Sequence, residues 1–275
     1  MKLTHKLLLG LFSFALFTAC ENTSNSGQEG EEETMNDSTE TMAEDQEQSQ
    51  LSLTPFTESA ELMDAKLEWN EPAGDVAQAG DTQFGFNVTN YELGVPTEGS
   101  ENIGIAKSDK GQHIHLILNN EPYYAIYEPD WTTDLADDDY VALAFLSRSY
   151  HESVKNPDAF VVKHFKVGNA DTKDVDLTAP HMFYSRPKGE YTGADTQKVL
   201  LDFYLVNTDL SADGNKVRAT INGEEFMIDE WQPYLIEGMP MGENTIRLEL
   251  LDSQGNAVPG PFNDVTRTVT LKEAM

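Results

Sequence analysis

Between residues 82 and 272 apolar and polar positions take turns in short runs. TQFGFNVTNYEL, HIHLILNN, YVALAFL, FVVKHFKV, VLLDFYLVN, KVRATING, NTIRLELLD and VTRTVTLK are rich in β-branched and aromatic residues, and Gly, Pro, Asn and Asp separate them. A period of two marks a strand with one buried face. Phe84, Phe86 and Val88 fall on one such face, as do Val141, Leu143 and Phe145, and Ile246, Leu248 and Leu250. No long amphipathic helix stands out, although TESAELMDAKLEW (57–69) admits a short one. The pattern predicts an all-β chain of sandwich type.

The runs also repeat. FNVTNYEL (86–93) lines up with FYLVNTDL (203–210), setting Phe86, Val88, Asn90 and Leu93 against Phe203, Leu205, Asn207 and Leu210. LILNNEPY (116–123) lines up with ATINGEEF (219–226), and LADDDYVALAF (135–145) parallels MPMGENTIRLEL (239–250). The first copy carries an extra loop, GVPTEGSENIGIAKSDKGQ (94–112). Self-similarity of this kind predicts two domains of one topology. They are read as tandem Ig-like or fibronectin-like β-sandwiches over 75–168 and 180–272. Residues 169–179 join them, and 51–74 is left unassigned apart from the short helix.

The first 49 residues follow different rules. MKLTHKLLLGLFSFALFTAC has a basic start, an apolar stretch from Leu7 to Phe17 and small residues before Cys20. That order predicts a secretory signal over 1–19. Cys20 is the chain's one cysteine and stands where a lipobox cysteine would, so the ending resembles a bacterial lipoprotein signal. The resemblance implies lipid on Cys20 and membrane attachment through that anchor rather than a spanning helix. Residues 20–50 are then a disordered tether. Its 21–50 portion holds ten acidic residues, no Lys, no Arg and no aromatic residue, too little apolar surface to offset ordering the chain.

Charge narrows the partners. The net charge is −30, which repels nucleic acid and excludes it as a partner. A single cysteine leaves no internal disulfide, thiolate zinc cluster or free thiol nucleophile in the folded part.

His113 and His115 are i and i+2 on a predicted strand, so they share a face. Two imidazoles so placed can hold a divalent metal, copper or zinc, if a third ligand joins them. His151, His164, His181 and the acidic residues of 134–139 are the candidates, with His151 preferred. The alternative is a half-exposed strand edge with no ion. SRSYHESVKNPDAF (147–160) and YSRPKGEY (184–191) are unusual in so acidic a chain. Arg148, Tyr150, His151 and Arg186 are ligand-binding candidates, because Arg with Tyr can hold a carboxylate, phosphate or sugar. Trp131 and Trp231 occupy similar places in the two copies and are read as packing residues. No nucleophile elbow, zincin helix, P-loop or dinucleotide fingerprint is present, so the chain is read as non-catalytic and without a cofactor beyond that metal.

Taken together, HIHLILNNEPYYAIYE, AFLSRSYHESVKN, YSRPKGEY, LLDFYLVNTDLS and INGEEFMIDEWQPYLIEGMPMGENTIRLELLD resemble a group of secreted lipoproteins from Bacteroidetes, over about residues 80–272. The acidic tether is similar to the export signal of surface lipoproteins in that group. The resemblance implies an outer-membrane lipoprotein facing outward, with the periplasmic face as the alternative. The expected role is a binding or scaffold module for a protein, peptide or glycan, and metal binding is the second reading.

Overall fold

The computed structural model describes residues 50–57, 59 and 62–274. Cys20, the signal segment and the tether up to residue 49 lie outside the described residues. In chain order the strands are β1 (Ser52–Pro55), β2 (Lys66–Glu71), β3 (Gly80–Thr89), β4 (His113–Leu118), β5 (Tyr124–Ile126), β6 (Asp130–Leu135), β7 (Asp138–Ser147) and β8 (Phe160–Val167). The chain continues with β9 (His181–Arg186), β10 (Gly189–Thr192), β11 (Val199–Val206), β12 (Lys216–Ile221), β13 (Glu224–Ile228), β14 (Tyr234–Glu237), β15 (Gly242–Leu251) and β16 (Asp264–Lys272).

Four sheets result. The first sandwich faces β2-β3-β6 with β5-β4-β7-β8. The second faces β1-β14-β11-β9 with β10-β16-β15-β12-β13. This is the strand arrangement of fibronectin-like and Ig-like sandwiches. Each sandwich has its own core. Trp69, Phe84, Phe86, Ile114, Leu116, Ala142, Ala144 and Phe165 fill the first. Tyr184, Leu201, Phe203, Val217, Ile221, Ile246, Leu248 and Leu250 fill the second. Trp69 meets Phe86 across the β2–β3 pair with ring centroids 5.3 Å apart, nearly perpendicular.

The segment before residue 75 is not helical where it is described. Residues 66–71 form β2 of the first sandwich, and β1 pairs with β14 of the second, Leu53 opposite Ile236. The possible helix over 57–69 therefore ends in a strand: Leu67 and Trp69 alternate with exposed Lys66 and Glu68, and the core takes the alternating face. The chain thus contributes to the second sandwich before it builds the first.

The repeat has a structural signature in its asparagines. Asn119 and Asn222 take positive φ, 51° and 50°, and each side-chain oxygen accepts a backbone N–H, from Val141 and Thr245 respectively, both at 2.9 Å. Asn90 and Asn207 share φ of 55°, and each donates its side-chain amide to a carbonyl, Asp64 O at 3.1 Å and Leu177 O at 2.7 Å. Asparagine tolerates the left-handed region because its short polar side chain bonds locally.

A third apolar cluster joins the sandwiches. Ile117, Tyr123, Val141, Leu143 and Phe145 meet Phe183, Tyr204, Val206 and Phe262. Phe145 stacks on Tyr204 at 4.8 Å. The alternating face Val141–Leu143–Phe145 therefore serves the junction, and the alanines between turn to the first core. Two polar ties fix the angle. Asn120 donates to Phe262 O at 3.1 Å and accepts from Tyr184 N–H at 2.9 Å. Buried Asp202 on β11 accepts from Ser153 Oγ at 3.0 Å and from Lys155 Nζ at 2.6 Å.

Candidate metal centre

The outward face of β4 is covered by this junction, which changes the environment of its two histidines. Every residue of β4 is buried, and His113 and His115 are 0% exposed. The half-exposed strand edge is not what the fold makes. Loop 94–112 closes back on itself, with Gln112 N–H bonding Val95 O at 2.6 Å and Gly94 N–H bonding Gln112 O at 2.8 Å. Gly111 has φ of 87°, and a Cβ there would lie 2.4 Å from the Val95 backbone, so only glycine lets the loop close. Its carbonyl is thereby set 2.9 Å from His113 Nδ1.

His151 reaches the same place from a tight turn. Its N–H bonds Arg148 O at 2.9 Å, Arg148 N–H bonds Glu152 O at 2.9 Å, and its φ is 71°. A non-glycine residue held there costs free energy that the surrounding structure must offset. His113 Nε2 lies 2.9 Å from His115 Nε2 and 3.2 Å from His151 Nδ1. One nitrogen from each ring thus falls within 4.8 Å of the others.

The remaining nitrogens settle what the cluster can do. A carbonyl only accepts, so His113 Nδ1 carries the proton toward Gly111 O, and Nε2 keeps its lone pair. His115 Nδ1 is 3.1 Å from Ser185 Oγ on β9. When Nδ1–H donates to that hydroxyl, His115 Nε2 also presents a lone pair to the centre. A metal-ligating histidine characteristically ties its second nitrogen to a carbonyl, carboxylate or hydroxyl in this way. Burial acts in the same direction. It pushes His113 down to about 4, and drives His115 and His151 well below their ordinary value, with Arg186 and Lys188 adding to the effect. All three rings are therefore neutral at pH 7, the form a metal ion requires.

Tyr123 caps the cluster. It stacks on His115 at 3.5 Å with an 11° tilt, and its hydroxyl is 3.2 Å from His151 Nδ1. Arg186 Nη1 donates to that hydroxyl at 3.2 Å, and Lys188 Nζ donates to Tyr123 O at 2.6 Å. Ser185 and Lys188 belong to the YSRPKGEY stretch that the sequence marks as unusual, whereas nothing in the sequence marks Tyr123. A tyrosine in the hairpin turn after the histidines, and a second-domain strand seventy residues on, acquire this role only once the sandwiches dock.

The other sequence candidates separate. His164 pairs with Asp139 at 2.8 Å, and His181 donates to Asp176 O at 2.9 Å, so neither joins the cluster. Arg148 and Tyr150 belong to a different place. Arg148 Nε is 3.4 Å from Glu152, and Tyr150 bonds Ser59 Oγ at 2.9 Å, while Ser59 donates a short hydrogen bond to Glu152. A cavity of about 240 Å³ lies beside them. Arg186 shares Tyr123 with His151 instead, so the four ligand-binding candidates do not make one site. Trp131 packs on Phe84, and Trp231 donates to Phe203 O at 3.0 Å.

No protein-family model matches the chain, and no curated protein matches it. Solved structures that are similar include the fibronectin(III)-like modules of CbhA from Clostridium thermocellum, at 14% identity and a TM-score of 0.27, covering 76% of this chain and 95% of that one. Fibronectin domains of chicken CNTN1 align at 11% identity and a TM-score of 0.21, over 74% of this chain and 66% of that one. SGBP-B of Bacteroides ovatus, solved with a mixed-linkage heptasaccharide, aligns at 11% identity and a TM-score of 0.21, over 74% of this chain and 47% of that one. The all-β, two-sandwich fold stands on the chain's own sheet topology.

Proposed function

We propose that this chain is a lipid-anchored, surface-displayed binding protein without catalytic activity, and that its first sandwich holds copper or zinc through His113, His115 and His151. The observation that carries the metal reading is the convergence of three neutral imidazoles, two with their outer nitrogens placed to be tied off by Gly111 and Ser185. Imidazole suits both copper and zinc. The ligands bring no negative charge, and Arg186 and Lys188 stand close by. Monovalent copper, the smallest charge on offer, meets the least repulsion there. Three protein ligands leave a fourth position, toward which the Tyr123 hydroxyl or water would turn.

Calorimetric titration of the purified protein tests this, with copper(I) under anaerobic conditions and with zinc. One ion should bind per chain, and His113→Gln with His115→Gln should abolish it. His151→Gln, at the more accessible end, should weaken it without unfolding the protein. Ser185→Ala should weaken it about tenfold through loss of the outer hydrogen bond. No binding of either ion by the folded protein would overturn the reading. The anchor rests on Cys20 alone: palmitate labelling in a bacterial host should vanish in Cys20→Ser, and label that persists refutes it.

A further inference from the structure

The chain's five arginines divide into two groups. Arg148, Arg218 and Arg247 each pair with a carboxylate. Among the described residues, Arg186 and Arg267 have no carboxylate within ion-pair distance. These two lie in one patch with Lys188. Arg267 stacks over Tyr184 at 5.0 Å, Arg186 over Tyr191 at 5.4 Å and Lys188 over Tyr123 at 3.6 Å. The Nε of Arg186 and of Arg267 and the hydroxyls of Tyr184 and Tyr191 are buried without a hydrogen-bond partner among the described residues. Arg186 is 6% exposed and Tyr184 0%, so water does not freely serve them.

Orphaned donors of this kind call for a partner, because a buried polar group left unpaired costs about 1–3 kcal/mol and a charged one more. Beside the patch a cleft of about 300 Å³ opens between the β4–β5 turn and strand β16. Lys188 and Arg267 line it, with Asn120, Thr266 and Thr268, and Glu121 stands at its exposed rim. Arg267 Nη2 already donates to Asn120 O, which holds the guanidinium at the cleft wall. Burial pulls Lys188 down to about 8, and the neighbouring Arg186 and Arg267 add to that, the response of a cation taken out of water beside two others.

We propose that this cleft is a binding site for a small oxyanion, the carboxylate or phosphate group of an external ligand, held by Lys188 and Arg267. An arginine fork and a lysine point charge together recognise such a group through charge-assisted hydrogen bonds. The site adjoins the histidine cluster through Tyr123, includes none of its three histidines and does not depend on a metal. The protein's overall charge repels anions, so binding here would be local and saturable rather than a general attraction.

The test is a titration of the purified protein with sodium phosphate, and in parallel with sodium acetate, at constant ionic strength set by sodium chloride. Calorimetry or the thermal midpoint is the readout. Saturable binding of at least one of the two is expected, and the preferred anion tells phosphate from carboxylate. Arg267→Gln and Lys188→Gln should each weaken it about tenfold, the worth of one charge-assisted hydrogen bond. Lys272→Gln, a surface cation paired with Glu190, should leave it unchanged. Lys188 is partly exposed, so its variant serves if Arg267→Gln does not fold. No saturable binding of either anion, or equal binding by Lys188→Gln and the unaltered protein, overturns the proposal.

Discussion

On the outward side of the first sandwich, β4 and β7 present His113, His115, Ile117, Val141, Leu143 and Phe145. The asparagine turns set the register between copies, Asn119 against Asn222 and Val141 against Thr245. At the matching places the second sandwich presents Lys216, Arg218 and Thr220 on β12 and Thr245, Arg247 and Glu249 on β15. The inward sides agree in kind: Ile114, Leu116 and Leu118 against Val217, Ala219 and Ile221. One topology therefore supports two outward chemistries. In the second copy the face is a lattice of ion pairs, Arg218 with Glu249 at 2.8 Å and Arg247 with Asp264 at 2.7 Å. In the first, the neighbouring sandwich covers the face, and the histidines are desolvated as a consequence. The fold demands inward alternation only; the docking makes the site.

The largest effect should come from breaking that cover. Phe145→Ala removes a ring that stacks on Tyr204 at the junction and should cost about 3–5 kcal/mol in urea unfolding. A cost under about 1 kcal/mol would mean that the junction contributes little to holding the sandwiches together. The polar tie is next. Asp202→Ala leaves Lys155 and Ser153 without their shared partner in a largely buried place and should cost about 3 kcal/mol. Lys155→Met, which removes the charge and keeps the stem, should cost less than Lys155→Ala. Equal costs would show that the charge, not the packing of the stem, is what counts.

Burial of the histidines predicts a pH dependence that the second copy lacks. His113 titrates at about 4 in the folded chain and near its ordinary 6.5 when unfolded. Between those values the unfolded state binds more protons, so stability is fully present above pH 6.5 and falls as pH drops toward 4. For His113 alone the loss amounts to about 3 kcal/mol across the window, and His115 and His151 shift in the same direction. Urea midpoints measured from pH 7.5 to pH 4.5 should fall, and His113→Gln should flatten the curve. A profile unchanged by that substitution would place the histidines in contact with water. Bound metal should steepen the loss, since protons then compete with the ion for the same lone pairs.

Much of the fold could be read from the chain because alternation is a local property. Phe84, Phe86 and Val88 do face one core, and Ile246, Leu248 and Leu250 another. Val141, Leu143 and Phe145 were equally legible as a face, but which core they serve was not. The signal lay in the residues between them: Ala142 and Ala144 leave room inside, and the large side chains sit outside. The strand β1 was hidden because its partner β14 lies about 180 residues away, and short runs such as SLTP carry no period. His113 and His115 announced themselves by spacing. The arrival of His151 depends on a left-handed turn and on docking, and Ser185 and Tyr123 on docking alone, none of which a local pattern records.

The smallest effect belongs to the uncovered face. Arg247→Ala breaks pairs with Asp264 and Glu249, yet Arg247 and Asp264 side chains are 42% and 55% exposed. Exposed pairs contribute about 0.2–1 kcal/mol and are screened by salt, so the variant should lose no more than about 1 kcal/mol and less at high ionic strength. Placing Lys216→His and Arg218→His in the same protein sharpens the comparison further. It recreates the i, i+2 imidazole pair on β12, but with no third histidine, no loop carbonyl behind the first ring and no covering sandwich. Zinc titrated into a protein that carries this pair and lacks His113 and His115 should bind at least a hundredfold more weakly than at the native cluster, since one ligand and both outer hydrogen bonds are missing. Equal affinity at the two places would mean that spacing on a strand suffices, and that the buried junction adds nothing to the site.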